Sequence, residues 1–134
     1  MRSTQTDIRT TQQAPVDNHG MRIDSEAGDS GVVLAHVVGE VDLLSAPRLR
    51  EWVQQQVTPP GALVLDLDRV GFLGSAGLSV LAELAEQSSQ RQLTWAIVAT
   101  SRVVLRPLEV TGLVDQMPVF SSVSDALAAV TRSS

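Results

Sequence analysis

The stretch "ALVLDLDRVGFLGSAGLSVLAELAEQ", residues 62–87, decides how this chain is read. "ALVLDLDRV" (62–70) is apolar almost throughout, the pattern of a strand buried on both faces between parallel neighbours. The apolar run reaches Leu73, and four small residues follow: Gly74, Ser75, Ala76 and Gly77. A helical pattern comes next. Leu78, Leu81, Ala82 and Ala85 fall on one stripe, with Glu83, Glu86 and Gln87 facing away. A strand, a tight junction and a helix in immediate succession make half of a βαβ unit. The small residues let the helix start close to the sheet, and Ser75 reads as its cap.

Working outward, "MRIDSEAG" (21–28) alternates weakly and predicts an edge strand, while "GVVLAHVVG" (31–39) predicts a buried one. "SAPRLREWVQQQV" predicts a helix with Ser45 as N-cap, Pro47 in its first turn, and Leu49, Trp52, Val53 and Val57 at helical spacing. "TPPG" (58–61) ends it. "LTWAIVAT" (93–100) predicts a fourth strand. "SRVVLRPLEVTGL" predicts a short helix stopped by Gly112, with a kink or late start at Pro107. "QMPVF" closes the sheet, and "SSVSDALAAV" opens a last helix with Ser122 and Asp125 in capping-box spacing. The order ββαβαβαβα implies an α/β domain on a mixed, mostly parallel sheet of four to five strands with about four helices. In such sheets, sites gather where strands end and helices begin. Residues 1–20 are polar and without period and read as a disordered tail; the domain spans 21–134.

With 134 residues there is room for one core. All ten basic residues are arginine, which excludes a P-loop and any Schiff-base or pyridoxal chemistry, since each needs a lysine amine. Without cysteine there is no thiolate catalysis, zinc ribbon or disulfide. No hydrophobic leader precedes the domain, and the longest nearly apolar stretch, "LTWAIVA", is far shorter than a membrane span. The expected compartment is therefore the cytoplasm. The net charge is −5, and between Arg22 and Ser45 one arginine faces Asp24, Glu26, Asp29, Glu40 and Asp42. That balance disfavours nucleic acid and suits a basic protein partner.

The junction does not read as an active site. A nucleophile elbow requires glycine two residues before the serine, and position 73 is leucine. The only histidines are His19, in the tail, and His36, within a strand, and no paired-histidine metal spacing occurs. Asp66 and Asp68 at strand spacing read as caps or loop ligands rather than metal ligands. A lone G-x-x-G without lysine is weak evidence for a phosphate cradle. The residues alone yield an α/β domain with no enzyme site, no metal and no cofactor, and leave helix capping and a functional role for Ser75 both open.

Three segments carry a resemblance: "GEVDLLSAPRLREWV", "ALVLDLDRVGFLGSAGLSVL" and "PLEVTGLVDQMPVFSSVSDALAAV". In this order and spacing they resemble the STAS family of anti-sigma factor antagonists, over about residues 30–131. The resemblance implies a mixed sheet flanked on one side by helices. It also implies a non-enzymatic function: binding an anti-sigma factor, which is a serine kinase with a histidine-kinase-like ATPase fold, and thereby freeing a sigma factor. The family's acceptor pattern aligns with "FLGSAGL" and points to Ser75 as the phosphorylated residue, with a PP2C-type phosphatase restoring the active form. The usual acid before the acceptor is Gly74 here; Ala76 follows it, so Ser75 is the motif's single hydroxyl, with Ser79 one turn on. By the same resemblance the partner face comprises Glu40, Asp42, Ser45, Gly74, Ser75, Ala76, Gly77 and Leu78. The alternative is a STAS sensor or scaffold module that binds a small ligand or assembles into a signalling complex.

Overall fold

The computed structural model describes residues 20–27 and 31–133; the expected N-terminal tail lies outside them, apart from Gly20. Five strands form one sheet whose spatial order follows the chain: β1 (Met21–Ala27), β2 (Val32–Val41), β3 (Gly61–Leu73), β4 (Leu93–Val98) and β5 (Val119–Phe120). β1 runs antiparallel to β2, and every later pairing is parallel. Helices α1 (Ala46–Gln56), α2 (Ser75–Ser89) and α3 (Arg102–Val110) connect the parallel strands, and α4 (Val123–Ser133) follows β5. The predicted element order holds throughout.

The helices divide between the two faces, which corrects the expectation of helices on one side only. Right-handed crossovers between strands that always step the same way across a sheet all fall on the same face. Accordingly Leu49 and Val53 of α1, Val80, Leu81 and Leu84 of α2, and Val104 and Leu108 of α3 pack with Leu63, Leu65, Leu67, Trp95 and Ile97. α4 follows the last strand and is under no crossover constraint. Its Ala126 and Val130 cover the opposite face, against Val32, Leu34, Val64, Ala96 and Val98. That second layer is why "ALVL" and "AIV" are apolar at consecutive positions.

β3 is longer than its apolar text predicts, running three residues past Val70. Its pairing with β2 slips twice, between His36 and Val38 and between Gly39 and Glu40, each time giving β3 one extra residue. Each bulge shifts the alternation, so the buried positions on the three-helix face run Leu63, Leu65, Leu67, then Val70, then Leu73. Leu73 thereby stays in the core while Phe72 turns outward, 49% exposed.

α2 also starts earlier than expected. Gly74 is the N-cap, with extended backbone, and Ser75 is the first helical residue, so Ser75 does not cap the helix. Its buried stripe is Gly77, Val80, Leu81 and Leu84, with Leu78, Ala82 and Ala85 beside it and only partly buried. In α3, Pro107 is accommodated inside the helix without a late start, and Gly112 follows in the left-handed conformation. Ser122 Oγ accepts the Asp125 amide at 3.1 Å, as the capping spacing predicts. Trp95 is buried, and its indole Nε1 has no hydrogen-bond partner among the described residues.

Candidate functional site

The C-terminal ends of β2 and β3 lie side by side, joined by the Gly74 amide donating to the Val41 carbonyl at 3.0 Å. Two chain segments leave from there: the β2–α1 turn, residues 42–45, and the first turn of α2. In the β2–α1 turn, Asp42 Oδ1 accepts the amides of Leu44 and Ser45, both at 3.0 Å. Ser45 Oγ donates to the Glu40 carbonyl at 2.7 Å and accepts the Asp42 amide at 2.9 Å. These bonds close a tight turn and leave its two leucines outside, Leu43 79% and Leu44 59% exposed.

Ser45 was expected to cap α1 and to meet a partner. It holds the N-cap position, its carbonyl accepting the Arg48 and Leu49 amides, but its side chain makes no cap bond to the helix, and the residue is fully buried. Its role is to lock the turn. Glu40 is exposed and Asp42 half-buried.

Gly74, Ser75, Ala76, Gly77 and Leu78 form the facing segment, and the structure separates their roles. A Cβ on Gly77 would lie 2.7 Å from both Leu73 Cδ1 and Val41 Cγ1, so Gly77 is a packing residue that brings α2 against the sheet. At Gly74 a Cβ would meet the Phe72 ring at 2.9 Å. Ser75 is exposed, and its hydroxyl has no hydrogen-bond partner among the described residues. The helix start carries no side-chain cap, so the first-turn amides keep their positive partial charge facing outward. Ser79 Oγ donates back to the Ser75 carbonyl at 3.1 Å.

Between α1 and α2 runs an open groove of about 350 Å³, lined by Leu43, Ala46, Pro47, Arg50, Ser75, Ala76 and Ser79. Further along, Arg50 bridges the two helices, its Nε and Nη2 donating to the two carboxylate oxygens of Glu83 at 2.8 and 2.9 Å. Hydrogen bonding by Glu83, then its charge, raises the Arg50 pKa above its ordinary value. The pair itself walls one side of a smaller pocket of about 140 Å³, lined otherwise by Val53, Val57, Val80, Leu84 and Leu93 together with Gln54, Gln87 and Gln92.

The other singled-out residues serve structure. His36 sits on the α4 face between Asp66 Oδ2, 2.7 Å from Nδ1, and Glu26 Oε2, 3.3 Å from Nε2. Asp66 also accepts the Asp68 amide, and Asp68 accepts the Thr100 amide at 2.6 Å and its hydroxyl at 3.0 Å. Asp68 is a loop ligand, as its spacing suggests, whereas Asp66 binds within the sheet, and no metal-holding cluster occurs among the described residues. Sequence reasoning missed Leu43, Leu44, Phe72 and the Arg50–Glu83 pair. The adjacent leucines in an otherwise polar turn were the one available signal.

A helix start of small residues thus stands beside an exposed apolar turn at one end of a mostly parallel α/β sheet. The STAS domain model matches residues 26–126, and the chain belongs to the STAS domain family. Over 105 residues it is 39% identical to the anti-sigma-F factor antagonist RsfB of Mycobacterium tuberculosis, covering 78% of this chain and 85% of that protein. The crystal structure of an anti-sigma factor antagonist from Mycobacterium paratuberculosis superposes with a TM-score of 0.75 at 35% identity, over 87% of this chain and 99% of that one. The Bacillus cell fate determinant SpoIIAA, in its phosphorylated form, shares the fold alone. Its TM-score is 0.58 at 18% identity, over 81% of this chain and 98% of that chain. Among the described residues no helix is long and apolar enough to cross a membrane.

Proposed function

We propose that this chain is a non-enzymatic anti-sigma factor antagonist of the cytoplasm, switched off by phosphorylation of Ser75. Its face is the β2–α1 turn with Glu40, Asp42, Leu43 and Leu44, together with Phe72 and the small residues from Gly74 to Leu78. Ser45 and Gly77 act from beneath it. The partner is an anti-sigma factor that is also a serine kinase with a histidine-kinase-like ATPase fold, and a PP2C-type phosphatase reverses the modification. The observation that carries the reading is the Ser75 hydroxyl: exposed, unpaired among the described residues, and set beside protruding apolar side chains. Similarity to proteins named as anti-sigma factor antagonists supports the partner class.

The chemistry is exclusion without refolding. A phosphate adds about −1.5 to −2 charge, which a helix N-terminus tolerates locally. On a face packed against a partner it occupies partner volume and must shed water, and the neighbouring carboxylates add repulsion. Incubation with the cognate anti-sigma factor and ATP, followed by mass spectrometry, tests the acceptor; phosphate on another residue, or on none, refutes it. In calorimetry, Ser75→Glu is expected to lose at least about tenfold in affinity, roughly 1.4 kcal/mol, while Ser75→Ala retains binding. Equal affinities would refute exclusion.

A further inference from the structure

Arg50 lines the same groove as Ser75, and it is the single cation among that groove's lining residues. It stands on the fifth residue of α1, one turn beyond Ala46 and Pro47, which line the groove with it opposite Ser75 and Ala76. Helical side chains lean toward the N-terminus of their own helix, so an arginine at position 50 naturally covers the turn at 46–47. Here it instead reaches Glu83, two turns along α2 from Ser75. The Arg50–Glu83 pair is solvent-exposed, with side chains 37% and 47% accessible, and such pairs are weakly held.

Resting on Ser75 as the modified residue, we infer that Arg50 is the built-in receiver of the Ser75 phosphate, exchanging Glu83 for it. A phosphoserine dianion presents more charge than a carboxylate and takes the same two-pronged guanidinium bond. Ser79, the nearest groove hydroxyl, is tied to the Ser75 carbonyl, and the Asp42 carboxylate is occupied by the amides of its own turn. The acids nearby repel the phosphate, which makes a cation able to swing toward it the deciding group. The exchange has two consequences. It seats the phosphate in the groove, and it releases the clasp between α1 and α2 that walls one side of the smaller pocket. The phosphorylated form then differs from the free form by a rearranged helix clasp as well as by an added charge.

The test uses the full chain with phosphoserine placed at position 75 during translation, read by phosphorus NMR through the second phosphate ionisation, ordinarily near pH 6. Removing the receiver in Arg50→Gln is expected to raise that midpoint by about half a pH unit, roughly threefold in proton affinity. Arg48→Gln removes the same charge from the same helix outside the groove and is expected to move it by less than a third as much. Glu83→Gln frees Arg50 and is expected to hold the midpoint at or below that of the unsubstituted phosphoprotein. Circular dichroism checks that each variant keeps the fold. Coincident titrations for Arg50→Gln and the unsubstituted chain overturn the inference. Equal shifts from Arg48→Gln and Arg50→Gln do so too, as does a raised midpoint in Glu83→Gln. Because the phosphate is installed without the kinase, a kinase assay that fails at Ser75 leaves this result standing on its own.

Discussion

Two neighbouring strand-to-helix junctions, β3 into α2 and β4 into α3, have the same topology and opposite finish. Neither helix has a side-chain cap. At the second junction, Asp68 reaches over from β3 to take both the amide and the hydroxyl of Thr100, and Ser101 Oγ is buried without a hydrogen-bond partner among the described residues. At the first, the Ser75 hydroxyl faces outward, and Phe72, Leu43 and Leu44 stand exposed around it. One junction ties Thr100 to the sheet and buries its serine. The other leaves its serine and its apolar side chains at the surface. The difference lies in a few residues rather than in the fold.

The contrast breaks most visibly at Gly77. Replacing it with valine forces atoms into Leu73 and Val41 and is expected to cost about 2–3 kcal/mol in urea unfolding. Gly71→Ala, with nothing closer than a carbonyl oxygen at 4.0 Å, is the matched control and is expected to stay within about 0.5 kcal/mol. Next comes the closed junction. Asp68→Ala leaves the Thr100 amide without its acceptor, for an expected loss of about 1–2 kcal/mol and unchanged affinity for the anti-sigma factor. A binding defect there would erase the distinction between the two junctions. The open junction should behave in reverse: Leu44→Ser is expected to weaken binding about tenfold, roughly 1.4 kcal/mol, with stability within about 0.5 kcal/mol of the parent. The smallest effect is expected from Gly74→Asp, which supplies a cap and gains only a few tenths of a kcal/mol in thermal unfolding, provided the Phe72 ring yields.

Element order and type were legible because apolar spacing reports burial, and the strands and helices here are buried on one or two clear faces. What escaped the sequence depended on partners far away in the chain. The two bulges in β3 arise from its pairing with β2, so a one-strand reading stops the strand at Val70 and misses the outward turn of Phe72. The α4 side of the sheet follows from chain direction at the last strand, which periodicity does not encode. Ser45 was legible as the N-cap position because it precedes proline and a helical stripe, but not the destination of its hydroxyl, which Glu40 and Asp42 behind it claim. Arg50 and Glu83 are 33 positions apart, beyond any local pattern. Ser75 itself was visible from the motif, but its freedom from hydrogen bonds was not.

Trp95 carries a practical consequence. The chain has no tyrosine, so its near-ultraviolet emission comes from Trp52, partly buried on α1, and Trp95, sealed in the core. The Trp95 indole nitrogen has no bond to lose among the described residues, so replacing it with phenylalanine removes an unpaired buried donor along with the second fluorophore. Trp52 would then glow alone from the helix that bears the Arg50 clasp, giving the protein an optical reporter of that helix with no foreign label.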